Sequence, residues 1–341
     1  MKVERRPPSR PPLPSPLPLP LPLPITRREL DGVLLLDKPA GRSSTQAMAA
    51  AKRIFRAQKA GHTGTLDPFA TGLLPVCFGE ATKFSRFMLD ANKSYRATLK
   101  LGQVSTTGDT EGVIQKSGLV DVDIERATTV LAQFVGEQTQ IPPMYSALKQ
   151  AGVPLYELAR KGIEVERAAR VIHIYAIHLI ALNGAELVID VDVSKGTYIR
   201  VLAEDIGKRL GCGAHLTALR RTATGGLNIA DAVTLEALEK VGAELLETFL
   251  RPPASLCAAL STIVLSSADA EIFSHGGWVG LESIDVATGE HAVWGPHQNF
   301  LGVGAVGGVG GVGGVADVAG VADVANVAHL RLSPSRVMKL R

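Results

Sequence analysis

The chain divides into stretches that alternate apolar and polar residues and stretches that repeat at helical spacing. "SYRATLKLG" (94–102) puts Tyr95, Ala97, Leu99 and Leu101 on one face and Arg96, Thr98 and Lys100 on the other, as a strand covered on one side requires. "ELVIDVDVS" (186–194) alternates in the same way, next to the long β-patterned run "RVIHIYAIHLIAL" (170–182). "GVLLLDKPAG" (32–41) and residues 73–78 are almost wholly apolar, as buried strands are. In "SSTQAMAAAKRIFRA" (43–57), Ala47, Met48, Ala51, Ile54 and Phe55 share a helical face, and Ser43 and Gln46 have capping-box spacing. Further helices are expected in "EATKFSRFML" (80–89), in 124–135 and in "YIRVLAEDIGKRLG" (198–211), the last closed by Gly211. "QIPPMYSALKQAG" (140–152) reads as a turn. Strands and helices mix without the regular alternation of a doubly wound fold, so the pattern predicts an α+β protein with a mixed sheet.

The two ends depart from this pattern. Residues 1–27 are dominated by proline, at every second position from Pro12 to Pro24. Proline at that density forbids the apolar helix of a signal peptide and predicts a disordered or loosely docked polyproline arm. "LRPPASL" (250–256) reads as a boundary, dividing a domain over 28–250 from a small β-rich module over 251–341. Within that module valine recurs at every third position from Val303 to Val327 among Gly, Ala and Asp. Period three matches neither a helix nor a strand face, so a flexible insertion is expected at about 302–328.

Composition narrows the partners. Net charge is +3, so an anionic partner must be met by local basic patches: "AKRIFRAQK", "ALRRT" and the C-terminal Arg331, Arg336, Lys339 and Arg341. Each patch alone reads as a solvated face; together with aromatics they suit RNA. Cys77, Cys212 and Cys257 are widely spaced and never form C-x-x-C, which fits neither a disulfide framework nor a zinc site and points to a reducing cytoplasm. No apolar run reaches membrane-spanning length.

Candidate chemistry concentrates in "AGHTGTLDPFATG" (60–72), where Asp67 stands among glycines, threonines and His62. The loop lacks the G-K-[ST] ending of a phosphate-binding loop, and no G-x-G-x-x-G follows a strand. Asp190 and Asp192 read as the solvated side of a strand, and His173 and His178 as structural histidines, so no metal or nucleotide cofactor is expected. By itself the Asp67-Pro68 pair favours a turn initiator. A catalytic carboxylate would need a partner that keeps it ionised under substrate, and Arg200, with Tyr198, stands at a strand-to-helix junction able to supply one.

"LLLDKPAGRSS" followed by "GHTGTLDPFATGLLPVCFGEATK" resembles the signature of the TruB family, bacterial synthases that form pseudouridine at position 55 in the T loop of tRNA. "KSYRATLKLGQVSTTGDTEG", "QIPPMYSALKQAG" and "SKGTYIRVLAEDIGKRLGCGAHLTALRRT" resemble it in the same order, over roughly 30–250. The resemblance implies a pseudouridine synthase fold, with a mixed, mostly antiparallel central sheet flanked by helices. It also implies a C-terminal PUA-like RNA-binding module.

The resemblance further implies that Asp67 is the nucleophile and that Arg200 pairs with it. Tyr95 would stack on the target uracil and take part in proton transfer, and Tyr198 would line the same pocket. His62 would press into the T loop to hold the flipped-out base, and Leu219 would meet substrate through its backbone. Asp109 matches a further acidic position near the site, while Lys38 and Pro39 shape the neighbouring turn. The implied partner is the T-stem loop of tRNA, bound by a cytoplasmic monomer without metal or cofactor. Two alternatives stand beside this reading: a non-catalytic protein that helps tRNA fold, and a guide-dependent synthase of a ribonucleoprotein.

Overall fold

The structure, a computed structural model, describes residues 26–281, 286–308 and 330–339. Its main feature is an eleven-stranded mixed sheet. In chain order the first part holds β1 (Gly32–Lys38), α1 (Ser44–Ile54), β2 (Ala60–His62), β3 (Thr71–Phe78), α2 (Ser85–Leu89) and β4 (Lys93–Leu101). Then come α3 (Ile124–Ala132), β5 (Gly136–Gln140), α4 (Leu155–Arg160), β6 (Arg170–Asn183), β7 (Glu186–Val193), α5 (Ile199–Leu210) and β8 (Ala214–Thr224). A two-residue strand, Leu227–Asn228, that pairs antiparallel with β8, then β9 (Val233–Thr234), α6 (Leu235–Glu239) and β10 (Leu250–Arg251) complete it. The strand path is β9-β1-β3-β8-β4-β7-β6-β5, with β2 on β3 and β10 on β1. Pairing is antiparallel except at β1–β9 and β3–β8.

The alternation in β4 and β7 is realised in full. Tyr95, Ala97, Leu99 and Leu101 join Leu187, Ile189, Val191 and Val193 in one core cluster, covered by Ala127, Val130 and Leu131 of α3 and Leu202, Ala203 and Ile206 of α5. A second cluster packs Leu34, Leu36, Leu74 and Val76 against Ala47, Ala50, Ala51 and Phe55. Gly72 pairs with Arg221 and Arg221 with Tyr95, so both clusters lie on the same face of the sheet. Both bonds of the Ser43–Gln46 capping box form at the start of α1, worth about 1 kcal/mol.

Several segments differ from expectation. Residues 80–89 begin as a 3-10 helix (Gly79–Phe84) before α2, because Asp31 accepts from the Glu80 N–H and Gly79 turns at positive φ. The 140–152 turn contains a small hairpin (Lys149–Gln150 with Val153–Pro154) leading into α4. His173 and His178 face solvent on β6, not the core, and His173 stacks on Tyr175. "ALRRT" is a central strand and no surface patch: Arg221 is 1% exposed. β-Bulges between Leu216 and Ala218 and between Arg221 and Ala223 interrupt its alternation, which hid it in the sequence.

A second, five-stranded sheet holds β11 (Thr262–Val264), β12 (Val279–Leu281), β13 (Gly289–Trp294), β14 (Phe300–Gly308) and β15 (Leu330–Val337), with α7 (Ser267–Ser274) packed on it. Its order is β11-β13-β14-β15-β12, the strand-rich arrangement of a PUA-like module. Ala292 and Val303 pack onto Val33, Leu35, Leu73 and Cys77, the face of the large sheet opposite α1. Residues 302–308, expected in the insertion, belong to β14; the remainder of the repeat to 328, and the arm over 1–25, lie outside the described residues. Among the described residues no helix is long and apolar enough to cross a membrane.

Candidate active site

Asp67 sits in the loop between β2 and β3, and that loop is held from three sides. Ser44 at the start of α1 accepts from Leu66 N (2.8 Å) and donates to Leu66 O (3.1 Å). Gly41 N donates to Pro68 O at 2.8 Å, and Ala70 N closes a turn on Asp67 O at 3.1 Å. Lys38, fully buried, donates Nζ to Pro39 O (2.9 Å), Pro68 O (3.3 Å) and Ala70 O (2.6 Å). Burial lowers the Lys38 pKa to about 8, against the pull of Asp67. The Asp67-Pro68 turn expected from sequence is present, and it serves to aim a carboxylate.

The carboxylate faces Arg200, one residue into α5. Arg200 Nε lies 3.0 Å from Asp67 Oδ2 and 3.6 Å from Asp109 Oδ2. Nη2 donates to Asp67 Oδ1 (3.4 Å) and to Tyr145 O (2.7 Å), and Nη1 donates to Thr107 O (3.1 Å). The guanidinium is 4% exposed, and its fork geometry makes each contact directional. Asp109 is almost fully buried behind it, accepting from Thr107 Oγ1 (2.5 Å) and Glu111 N (2.9 Å).

Arg200 is the cationic partner that the sequence reading asked for, but it does not set the Asp67 pKa alone. Burial raises the Asp67 pKa; Arg200 opposes the rise, and the neighbouring Asp109 adds to it. One guanidinium is shared between the partly exposed Asp67 and the buried Asp109.

A cleft of about 380 Å³ opens over Asp67, within the range of small-ligand sites. Tyr95, Tyr198, Leu219 and Arg200 line it with Asp67, together with Lys93 and Arg221. Tyr198 is fixed through its backbone, which exchanges two hydrogen bonds with the Gln140 side chain (2.7 and 3.1 Å). Two of the candidate residues stand apart. Asp109 lies behind Arg200, and His62 on β2 does not line the cleft. Burial, with Arg221 nearby, lowers the His62 pKa, and its Nδ1 is buried without a hydrogen-bond partner.

Arg221 was not singled out in the sequence. It donates Nε to Leu73 O (2.7 Å) and Nη2 to Gly64 O (3.3 Å), tying both flanks of the Asp67 loop to β8. Gly72 permits this approach: at φ +104° its position would bring a Cβ within 2.3 Å of Arg221 O. The one signal available in sequence was an arginine doublet, of which the structure buries one member and leaves Arg220 to pair with Asp37 at 2.7 Å. Among the described residues no cluster of His, Cys, Asp or Glu could hold a metal; Asp190 instead takes Arg96 in two hydrogen bonds, 2.8 and 2.7 Å.

Comparison with known proteins bears on this site. The model of the TruB family pseudouridylate synthase N-terminal domain matches residues 52–199, and that of the tRNA pseudouridylate synthase B C-terminal domain matches 200–257. The tRNA pseudouridine synthase B of Dechloromonas aromatica is 53% identical over 254 residues, 74% of this chain and 85% of that protein. This chain belongs to the TruB family. A second TruB relative, from Burkholderia lata, is 51% identical over 269 residues, 78% of this chain and 84% of that one. Among solved structures, a Cbf5-Nop10-Gar1 complex contains a chain with TM-score 0.65 and 28% identity, covering 80% of this chain and 78% of that one. An H/ACA RNP bound to a substrate RNA containing 2'-deoxyuridine matches with TM-score 0.61 and 26% identity, over 80% of this chain and 77% of that one. The TruB match includes the loop of Asp67, Tyr95 and, at the start of its second part, Arg200. The fold is thus the pseudouridine synthase fold with a PUA-like module.

Proposed function

We propose that this protein converts uridine to pseudouridine at position 55 in the T loop of tRNA, with Asp67 as the nucleophile. The observation that carries the reading is the 3.0 Å contact between Asp67 and a buried Arg200 at the base of a nucleoside-sized cleft. The reaction breaks the bond from uracil N1 to C1′ and makes one from C5 to C1′. C5 loses a proton and N1 gains one, so the isomerisation balances without an oxidant, a reductant or an imported group. A single oriented carboxylate is the chemistry such a step asks of the protein, whether it meets the sugar or the base.

Each remaining residue has a place in this reading. A uridine folded inside the T loop must be extruded first, at a cost of a few kcal/mol. Stacking on Tyr95 returns about 1–3 kcal/mol, and Tyr198 and Leu219 complete the walls. Arg200 orients Asp67 and, with Lys38, supplies positive charge against its burial. His62, neutral and outside the cleft lining, is placed to meet the RNA rather than the reacting atoms. The protein works as a monomer in the cytoplasm, with no guide RNA. Purified protein mixed with unmodified tRNA, followed by mapping of pseudouridine, tests this: product at the T-loop uridine supports it, and no product, or product elsewhere, overturns it.

A further inference from the structure

The segment that leads to Asp67 is basic to an unusual degree. From Lys38 to Leu66 there is no Asp or Glu, while Lys38, Arg42, Lys52, Arg53, Arg56 and Lys59 all fall within it. Lys38 is used up inside the catalytic loop. Arg42, Arg53 and Arg56 are exposed, and no ion pair among the described residues uses them. Glu236 and Glu239 on the adjacent α6 pair with none of them either.

These cations are arranged. Gln46, Ala49 and Arg53 recur at intervals of three and four on one stripe of α1, opposite buried Ala47 and Ala51, and Arg42 stands in the turn just before the Ser43 cap. A groove of about 600 Å³ lies along that stripe, lined by Arg42, Gln46, Ala49, Ala50 and Arg53 among others, so both arginines border one cavity. The groove shares no lining residue with the cleft over Asp67, yet Gly41 in its wall bonds Pro68 O in the catalytic loop.

We propose that this groove holds sugar-phosphate backbone of the substrate tRNA outside the T loop, with Arg42 and Arg53 as phosphate ligands. The inference rests on tRNA being the substrate. Guanidinium forks match phosphate oxygens. The walls are Ala, Gly and Gln, and no large exposed apolar side chain lies between residues 40 and 60, so the anchors a protein partner would need are missing. The position across the catalytic loop from the cleft assigns the groove to RNA beyond the flipped nucleotide.

The test compares binding of full-length unmodified tRNA and of an isolated T-arm hairpin across a salt series, for the native protein and for Arg42→Gln/Arg53→Gln. For full-length tRNA the double variant should weaken affinity about tenfold and make the slope of log affinity against log salt shallower by about 1 to 2. Hairpin affinity should change less than about twofold, and Arg42→Lys/Arg53→Lys should restore most of the loss, which a packing defect would not allow. Equal losses on both RNAs, or none on either, overturn the proposal. A native protein that forms no pseudouridine in tRNA would sink the enzymatic reading separately, leaving the salt slopes to decide the groove.

Discussion

Arg200 reaches Asp67 at 3.0 Å and Asp109 at 3.6 Å through the same Nε, so one guanidinium sits between the candidate nucleophile and a second, deeper carboxylate. Its Nη2 also reaches Asp67 Oδ1 at 3.4 Å, and Nη1 and Nη2 are anchored to Thr107 O and Tyr145 O. The arginine therefore works as a fixed post against which Asp67 is aligned. Lysine carries the charge but has no fork to satisfy those carbonyls. Arg200→Lys should lower kcat by about 10²-fold, with a much smaller change in tRNA affinity. Single-turnover kinetics alongside equilibrium binding check this; a loss confined to affinity would contradict the alignment role.

The pH dependence follows from the direction of the Asp67 shift. Burial raises its pKa above the ordinary carboxylate value near 3.9, and Asp109 contributes to the rise. With Asp67 as the proposed nucleophile the ionised form is the reactive one, so kcat should fall as pH drops through this raised value. Asp109→Asn removes the neighbouring negative charge and should move that acid limb to lower pH. A pH–rate profile of both proteins reads the sign, and a limb that moves upward would contradict it.

The same shift has a stability consequence. For a carboxyl whose folded pKa is raised, the stabilising contribution belongs to low pH and is lost as pH rises through the folded value. At neutral pH the fold thus bears the cost of an ionised, partly desolvated Asp67. Asp67→Asn should melt at the same temperature as the native protein or higher at pH 7, and this difference should shrink in acid. A large drop in Tm at pH 7 would contradict it.

The two adjacent arginines of β8 should behave differently. Arg221 is buried and bonds Leu73 O and Gly64 O, so Arg221→Ala strands two carbonyls and opens a cavity, costing about 2–5 kcal/mol. Arg220 makes a partly exposed pair with Asp37, and Arg220→Ala should cost about 0–1 kcal/mol. Urea unfolding of the two variants separates them.

What could be read from the sequence tracks where local physics decides. The strict alternation of β4 and β7 and the capped helix α1 were legible because one-sided burial and a capping box leave periodic marks. β8 was not, because two bulges break its period while it occupies the centre of the sheet. The meeting of Asp67, Tyr95 and Arg200 could not follow from spacing, since three separate elements carry them; it entered through family resemblance. The rise in the Asp67 pKa was not legible either, because burial depends on the whole fold, whereas an arginine is visible as a letter. Arg221 escaped notice for the same reason.

The most direct measurement combines binding and chemistry in one variant. Asp67→Asn should bind unmodified tRNA with nearly native affinity while T-loop pseudouridine formation falls by on the order of 10⁴-fold or more. Turnover near the native rate in that variant would contradict the assignment of Asp67 as the nucleophile.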